Sequence, residues 1–339
     1  MIITPGILRR VCFAILATFA WMSSAASQAQ TQAQTQVPVQ KLTYLLPAPA
    51  TLPVFGPWIL AQTKGYYAAE GLEVEFVTGR GGVDVAKQVG AGNAVIGGAI
   101  GDTPIIARVQ GILIKAMAVL GSGSLTQLVS HKDEKIESLR ELKGKTVTVI
   151  SYTDTTYYAL LSMLSKVGLS KHDVNIQVVG PAGVWHQFAS KKASAMAGVP
   201  DWTVNAMEAG AAVDILPADI YFKSMAQAIL AFDETIQKNP QLVQKLVRIT
   251  LKGMRDIMAD LKAATTVYAR QVPIYKGREA TILANFELYK KYVYVAQKKP
   301  GQMDEARFGE RQKFYVGNGV VAKEAPLKDP YTYQFISAK

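Results

Sequence analysis

The sequence predicts an α/β protein of two lobes, each a doubly wound sheet, joined by two strands. Three observations carry this. Short apolar runs alternate with helical patterns over residues 42–120, and the same alternation restarts over 146–216. Segments 125–130 and 225–231 are apolar and strand-like but have no helix after them, and they bracket the second run. At 339 residues the chain also suits two domains of ordinary size, with 49% apolar residues to fill their cores. Alternating strands and helices build a largely parallel sheet covered on both faces. The bracketing segments read as crossings, so the second lobe is 125–230 with a hinge strand at each end. The first lobe is then 41–124 together with 231–339. Such an inserted lobe can close over a ligand; the alternative is two rigidly docked domains of an enzyme.

The elements follow in order. Residues 42–46 are a short apolar strand, and a proline-bearing loop leads to Pro57, which suits a first helical turn, continued to Lys64. Glu73, Val74, Glu75 and Phe76 alternate as a strand. Gly79, Gly81 and Gly82 mark a turn before a helix over 83–89. A strand over 94–100 meets Asp102-Thr103-Pro104, a helix start with a capping residue ahead of proline. A buried strand over 114–120 ends the first run. In the second run, strands are expected over 146–150, 175–179, 193–199 and 213–216. Helices are expected over 156–167, 184–190 and 203–209, the last opened by Asp201. Asn239 and Pro240 then start a long helix whose apolar stripe includes Leu242, Val243, Leu246, Val247, Met254, Ile257 and Met258. Helices over 280–296 and 305–315 complete the chain.

The N-terminus reads as a removable leader over 1–29. Arg9 and Arg10 precede an apolar run over 11–22, and small residues follow. That run falls short of the roughly 20 residues a bilayer span needs. Residues 30–40, rich in Gln, Ala and Thr, read as a flexible tether. The single cysteine, Cys12, lies in the leader without the small residues of a lipid-attachment site. The processed chain is therefore expected to have no disulfide, no thiol nucleophile and no lipid anchor. The formal charge is +11, but basic residues are interspersed with acids, as in Lys132-Asp133-Glu134-Lys135. With no basic stripe interleaved with aromatics, no nucleic-acid partner is expected. His131, His172 and His186 are widely spaced and give no metal-ligand pattern.

Several stretches carry a family resemblance. Residues 61–76 read AQTKGYYAAEGLEVEF. Gly101-Asp102-Thr103-Pro104 is followed by Ala107, Gly111 and Ile114-Lys115. Residues 136–149 read IESLRELKGKTVTV, and 198–210 read GVPDWTVNAMEAG. In these stretches the chain resembles the bacterial solute-binding proteins of the nitrate, sulfonate and taurine transporter group, which includes binders of thiamine pyrimidine precursors. The resemblance implies a type II periplasmic binding fold and a ligand between the lobes. It implies as partners a membrane permease and its ATPase, with the protein itself a periplasmic monomer that neither inserts in the membrane nor carries a cofactor. Family members often have Gly-Ser at the second-lobe helix start, where this chain has Ser151 to Thr156, so its ligand is expected to differ from simple sulfonates. Fungal thiamine-pyrimidine synthases look like the same group but depend on a cysteine and histidine cluster, which favours a binder here over an enzyme.

Ligands of open α/β sheets sit where strands end and helices begin. Phe55 and Trp58 can stack on a planar ligand or line the lobe core. Arg80 and Gly81 lie in a glycine turn suited to an anion. Asp102 and Thr103 can cap a helix or meet the ligand. Ser151, Tyr152, Thr153, Asp154, Thr155 and Tyr157 crowd the best candidate turn. Trp185, Asp201 and Trp202 complete the set. The acids fit ligand N–H or O–H donors; Arg80 fits an anion such as a sulfonate, nitrate, taurine or an aromatic carboxylate. Arg80 and the 151–157 turn are expected to face each other across the cleft.

Overall fold

The computed structural model describes residues 39–336 except Phe222 and Ala296. The expected leader and nearly all of the tether lie outside the described residues. Gln40, read as tether, is the first residue of β1.

The first sheet is built from β1 (Gln40–Leu46), β2 (Leu72–Thr78), β3 (Ile96–Ile100) and β4 (Ile114–Val119). Between these strands run α1 (Gly56–Thr63), α2 (Gly82–Gly90) and α3 (Thr103–Arg108). The chain then forms β5 (Gln127–His131), β6 (Thr146–Val149), α4 (Thr155–Lys166), β7 (Asn175–Val178) and α5 (Gly180–Ala189). It continues through β8 (Ala195–Gly198), α6 (Pro200–Glu208), β9 (Val213–Leu216) and α7 (Ala218–Tyr221). After β10 (Gln227–Phe232) come α8 (Asp233–Lys238), α9 (Pro240–Ala259), α10 (Leu261–Gln271) and α11 (Glu279–Leu288). A π-helical turn, Tyr289–Val293, extends α11, and α12 (Glu305–Gly317) is the last helix. Asn239 stands at the start of α9, but its side chain makes no capping bond.

Two five-stranded sheets result, in the orders β2-β1-β3-β10-β4 and β7-β6-β8-β5-β9. The expected parallel pairing holds for β1 with β2 and β3, and for β6 with β7 and β8. In each sheet one strand is reversed. β10 runs antiparallel between β3 and β4, and β5 antiparallel between β8 and β9. Residues 125–130 and 225–231, read as crossings, thus lie mostly inside the sheets. A strand buried on both faces and a crossing segment have the same apolar, helix-free sequence, so the sequence could not separate them. The chain passes between the sheets just ahead of each strand, and there the outgoing and returning segments are tied together. Leu120 N–H donates to Gln227 O (2.7 Å), Leu125 N–H to Met225 O (3.1 Å) and Ser224 N–H to Ser124 Oγ (2.8 Å).

Strand alternation explains the second lobe's two cores. Val147, Val149, Leu128, Ala195 and Ala197 pack on one face with Leu160, Met163 and Leu164 of α4. Val129 and Met196 point to the other face, against Val184 and Phe188 of α5 and Ala206 of α6. The first sheet shares one core with the C-terminal helices, including Val243, Leu246 and Val247 of α9 and Phe286 of α11. No helix among the described residues is long and apolar enough to cross a membrane.

Candidate functional site

The strand-end turns of the first sheet are held by the backbone. Gly79 N–H donates to Leu46 O and Gly81 N–H to Pro47 O, which fixes the glycine turn against the end of β1. Gly81 has φ +95°, a conformation that favours glycine. Gly82 lies so close to Thr103 that an added Cβ would come within 3.0 Å of its Oγ1. Arg80 is exposed; its backbone N–H is held by Asp84 Oδ2 at 2.9 Å. Phe55 and Trp58 are buried in the first-lobe core, edge to face at 5.9 Å. They are therefore not ligand-stacking surfaces. An aromatic near a strand end can pack inward or outward at equal cost to the sequence pattern, which is why the two roles looked alike.

Asp102 is fully buried and makes no side-chain cap, so the expected capping role is corrected. Its Oδ2 accepts instead from Arg311 Nε (2.8 Å) and Tyr315 OH (2.9 Å), both on α12. The residue bends away from the helix start because a buried guanidinium offers a stronger, charge-assisted partner than a backbone amide. Arg311, also fully buried, reaches on to Ser162 Oγ of α4 at 3.0 Å. One arginine on the last helix thus bonds to a residue of each lobe. Asp102 Oδ1 and Thr103 Oγ1 are buried with no hydrogen-bond partner among the described residues. Buried polar atoms are ordinarily paired, so two unpaired ones on consecutive residues mark a place where a donor or a water belongs.

The second-lobe turn is ordered by its own hydroxyls. Ser151 Oγ bonds Thr153 Oγ1 at 3.2 Å and accepts from Thr153 N–H at 3.3 Å. Asp154 caps α4, accepting from Thr156 N–H (2.8 Å) and Thr156 Oγ1 (2.6 Å). Burial pushes the Asp154 carboxyl above its ordinary range; the Thr156 bonds pull it back, and the charge of Asp102 pushes it up further. Asp154 and Asp102 lie on opposite lobes, near enough for the charge of Asp102 to act on Asp154. Tyr152 is exposed and meets Tyr157 at 5.2 Å; Tyr157 meets Tyr158, and Tyr158 meets Tyr315 at 5.5 Å. This row of rings runs from the second-lobe turn to the partner of Asp102. Thr155 is half-buried at the head of α4.

The remaining candidates lie on α5 and α6. Trp185 is half-buried against the second core, edge-on to His186. Trp202 packs between the first-lobe core and one second-lobe core. Asp201 is buried and spans the lobes: Oδ1 accepts from Val54 N–H at 3.1 Å and Oδ2 from the Tyr289 hydroxyl. A surface recess is lined by Ser122, Gln297, Gln302, Met303, Asp304 and Tyr333, none of which belongs to these turns.

The structure therefore groups Asp102, Thr103, Asp154 and the Tyr152–Tyr157 pair with two residues sequence reasoning missed, Arg311 and Tyr315. A signal for them existed. Arg307, Phe308, Arg311 and Tyr315 share one helical face by their spacing, and arginines interrupting an apolar stripe suggest buried ion pairs.

Two sheets of matching strand order, tied by paired crossing segments, with ends of opposite lobes brought together, define a bilobal fold of the periplasmic-binding-protein type. The chain belongs to the NMT1/THI5-like family, whose model matches residues 52–264. It is 25% identical over 289 residues to the riboflavin-binding protein RibY of Chloroflexus aurantiacus, covering 83% of this chain and 82% of that one. It is 30% identical over 133 residues to the 4-amino-5-hydroxymethyl-2-methylpyrimidine phosphate synthase of Schizosaccharomyces pombe, covering only 39% of this chain and 38% of that enzyme. Its fold is like that of the periplasmic aliphatic sulphonate binding protein SsuA of Escherichia coli. The TM-score is 0.69 at 15% identity, covering 86% of this chain and 91% of that one.

Proposed function

We propose that this chain is the solute-capturing component of an ABC importer. Exported to the periplasm and freed of its leader, it takes a small planar organic solute between its lobes and delivers it unchanged to a permease and ATPase. The lobes are 41–124 with 231–339, and 125–230, and the tied crossing segments are the hinge. The observation that carries the ligand reading is the pair of acids from opposite lobes, Asp102 and Asp154, with Asp102 Oδ1 buried and unpartnered. An unpaired carboxylate oxygen is satisfied by an N–H or O–H donor, and the exposed ring of Tyr152 stands at the second-lobe end of the row of rings that reaches Tyr315, a partner of Asp102. The relative named as a riboflavin-binding protein supports a heteroaromatic ligand. Exposed Arg80 at a glycine turn favours a second reading, an anionic solute such as a sulfonate or aromatic carboxylate.

A thermal-shift screen of wild type and Arg80→Ala separates these. Riboflavin, aminopyrimidines, sulfonates, taurine, nitrate and aromatic carboxylates are the probes. A true ligand at 100 times its dissociation constant stabilises the native state by about 2.7 kcal/mol. The expected outcome is a shift with a neutral heteroaromatic that survives Arg80→Ala, with the compound recovered intact by mass spectrometry. A shift confined to anions and lost in Arg80→Ala would move the second reading ahead. Chemical turnover would replace both with an enzyme.

A further inference from the structure

Asp201 belongs to α6 of the second lobe, yet both its carboxyl oxygens are bonded outside that lobe. One accepts the N–H of Val54, in the 3-10 turn that follows β1. The other accepts the hydroxyl of Tyr289, in the π-turn behind α11. The side chain is 4% exposed, and no Lys, Arg or His pairs with it among the described residues. The groups facing it are phenols: Tyr268 from α10, Tyr275 from the 3-10 turn Pro273–Tyr275, Tyr289 from the π-turn and Tyr294 just beyond it. The turn bearing Val54 offers no titratable side chain. Burial pushes all four phenols up, so they stay neutral through the physiological range. The charged residues at the far end of α6 satisfy each other: Arg278 pairs with Glu208 at 2.6 Å, and Thr281 also donates to Glu208.

A carboxylate held between two lobes by neutral donors alone must surrender its hydration whenever the lobes meet. We propose that Asp201 is a proton-operated latch, so that acidification shifts the protein toward the closed arrangement of its lobes. The proposal rests on the reading that the lobes open and close. In the open form the carboxyl faces water and titrates near its ordinary value. In the closed form burial raises it to about 6, against the opposing pull of Tyr289 and Val54. The state with the higher value binds the proton more tightly, so closure gains as pH falls through about 6 and levels off below about 4. A difference of roughly two units corresponds to at most about a hundredfold in the closed-to-open ratio.

Interlobe distance reads this without any ligand, so failure of the solute-binding reading leaves the test intact. Labels are placed on K87C of α2 and K171C ahead of β7, both exposed lysines on different lobes, in a Cys12→Ser background. Energy transfer is followed from pH 7.5 to 4. Wild type is expected to shift to the shorter distance as pH falls below about 6, with most of the change between about 6 and 4. Asp201→Asn keeps the shape and is always neutral, and it is expected to hold the short distance at every pH. Tyr289→Phe removes one donor to the carboxylate and is expected to raise the midpoint. A wild-type distance flat over this range, an Asp201→Asn slope equal to wild type, or an unmoved midpoint in Tyr289→Phe overturns the proposal.

Discussion

Arg311 is fully buried, and its bonds run to Asp102 of the first lobe and Ser162 of the second. Burying a charge pair is costly, but removing one partner is costlier, because the other stays buried and uncompensated. Arg311→Ala is therefore expected to lower stability by about 3–5 kcal/mol, measured as the shift in urea midpoint at constant slope. Arg311→Ala combined with Asp102→Ala is expected to lose less than Arg311→Ala alone. At this scale the sequence was partly legible. Asp102, Thr103, Asp154 and Asp201 were read as site residues from their place at strand ends, and the structure puts each at the strand-to-helix turn expected of it. Their roles were not legible. Asp102 looked like a cap because an acid before Thr-Pro usually is one, and nothing local announces an arginine 209 residues away. For Phe55 and Trp58 the sequence left core and ligand wall open, since the direction of an aromatic ring is decided by the packing around it, and the structure puts both in the core.

Among the elements, α9 and α1 pack backbone to backbone. Gly253 sits where an added Cβ would lie 2.0 Å from the carbonyl oxygen of Pro57. That oxygen is backbone at the start of α1, so the clash cannot be relieved by a rotamer change. Gly253→Ala would gain about 1 kcal/mol of helix propensity, yet it is expected to destabilise by about 1–3 kcal/mol because one helix must move off the other. Thermal denaturation of the variant checks the sign. The helices themselves were largely legible from their apolar stripes and prolines. Three were missed. Residues 218–221 make a single turn just after β9, 233–238 follow β10 without a break, and only Asp260 separates 261–271 from the end of α9, so the last two stripes ran together. Asp260, whose side chain accepts from Ala263 N–H, was the available boundary signal.

For the whole molecule, the decisive region is where two segments pass between the sheets. Arg307 of α12 clamps it: Nη1 donates to Ser224 O (2.6 Å) and Asp219 Oδ1 (2.9 Å), and Nη2 to Asp219 Oδ2 (2.9 Å). Ser124, on the outgoing segment, also donates to Asp219. A bidentate arginine–carboxylate pair fixes geometry as well as charge. Arg307→Ala is expected to loosen this region before the sheets. Amide exchange at Leu120 and Leu125 should then quicken at least tenfold, while the β1 and β6 amides stay as in wild type. Equal exchange at those two amides in variant and wild type would deny Arg307 the role. The two-lobed plan was legible because the strand–helix alternation stops and restarts. The reversed strand in each sheet was not, since direction is set by which neighbours a strand meets and not by its own composition.

That reversed strand has a consequence for how the chain is made. β4 ends at Val119, but the strand that must lie between it and β3 begins only at Gln227. The second sheet draws every strand from one continuous stretch, Gln127 to Leu216. As the polypeptide emerges, the second sheet can be completed while the first still has a slot open between β3 and β4, lined with unsatisfied amides and carbonyls. Such a slot accepts any extended segment, including one from another molecule. A newly made chain stopped short of β10 would therefore be prone to aggregate through its N-terminal half. The last strand to arrive is the one that makes the first sheet safe from its neighbours.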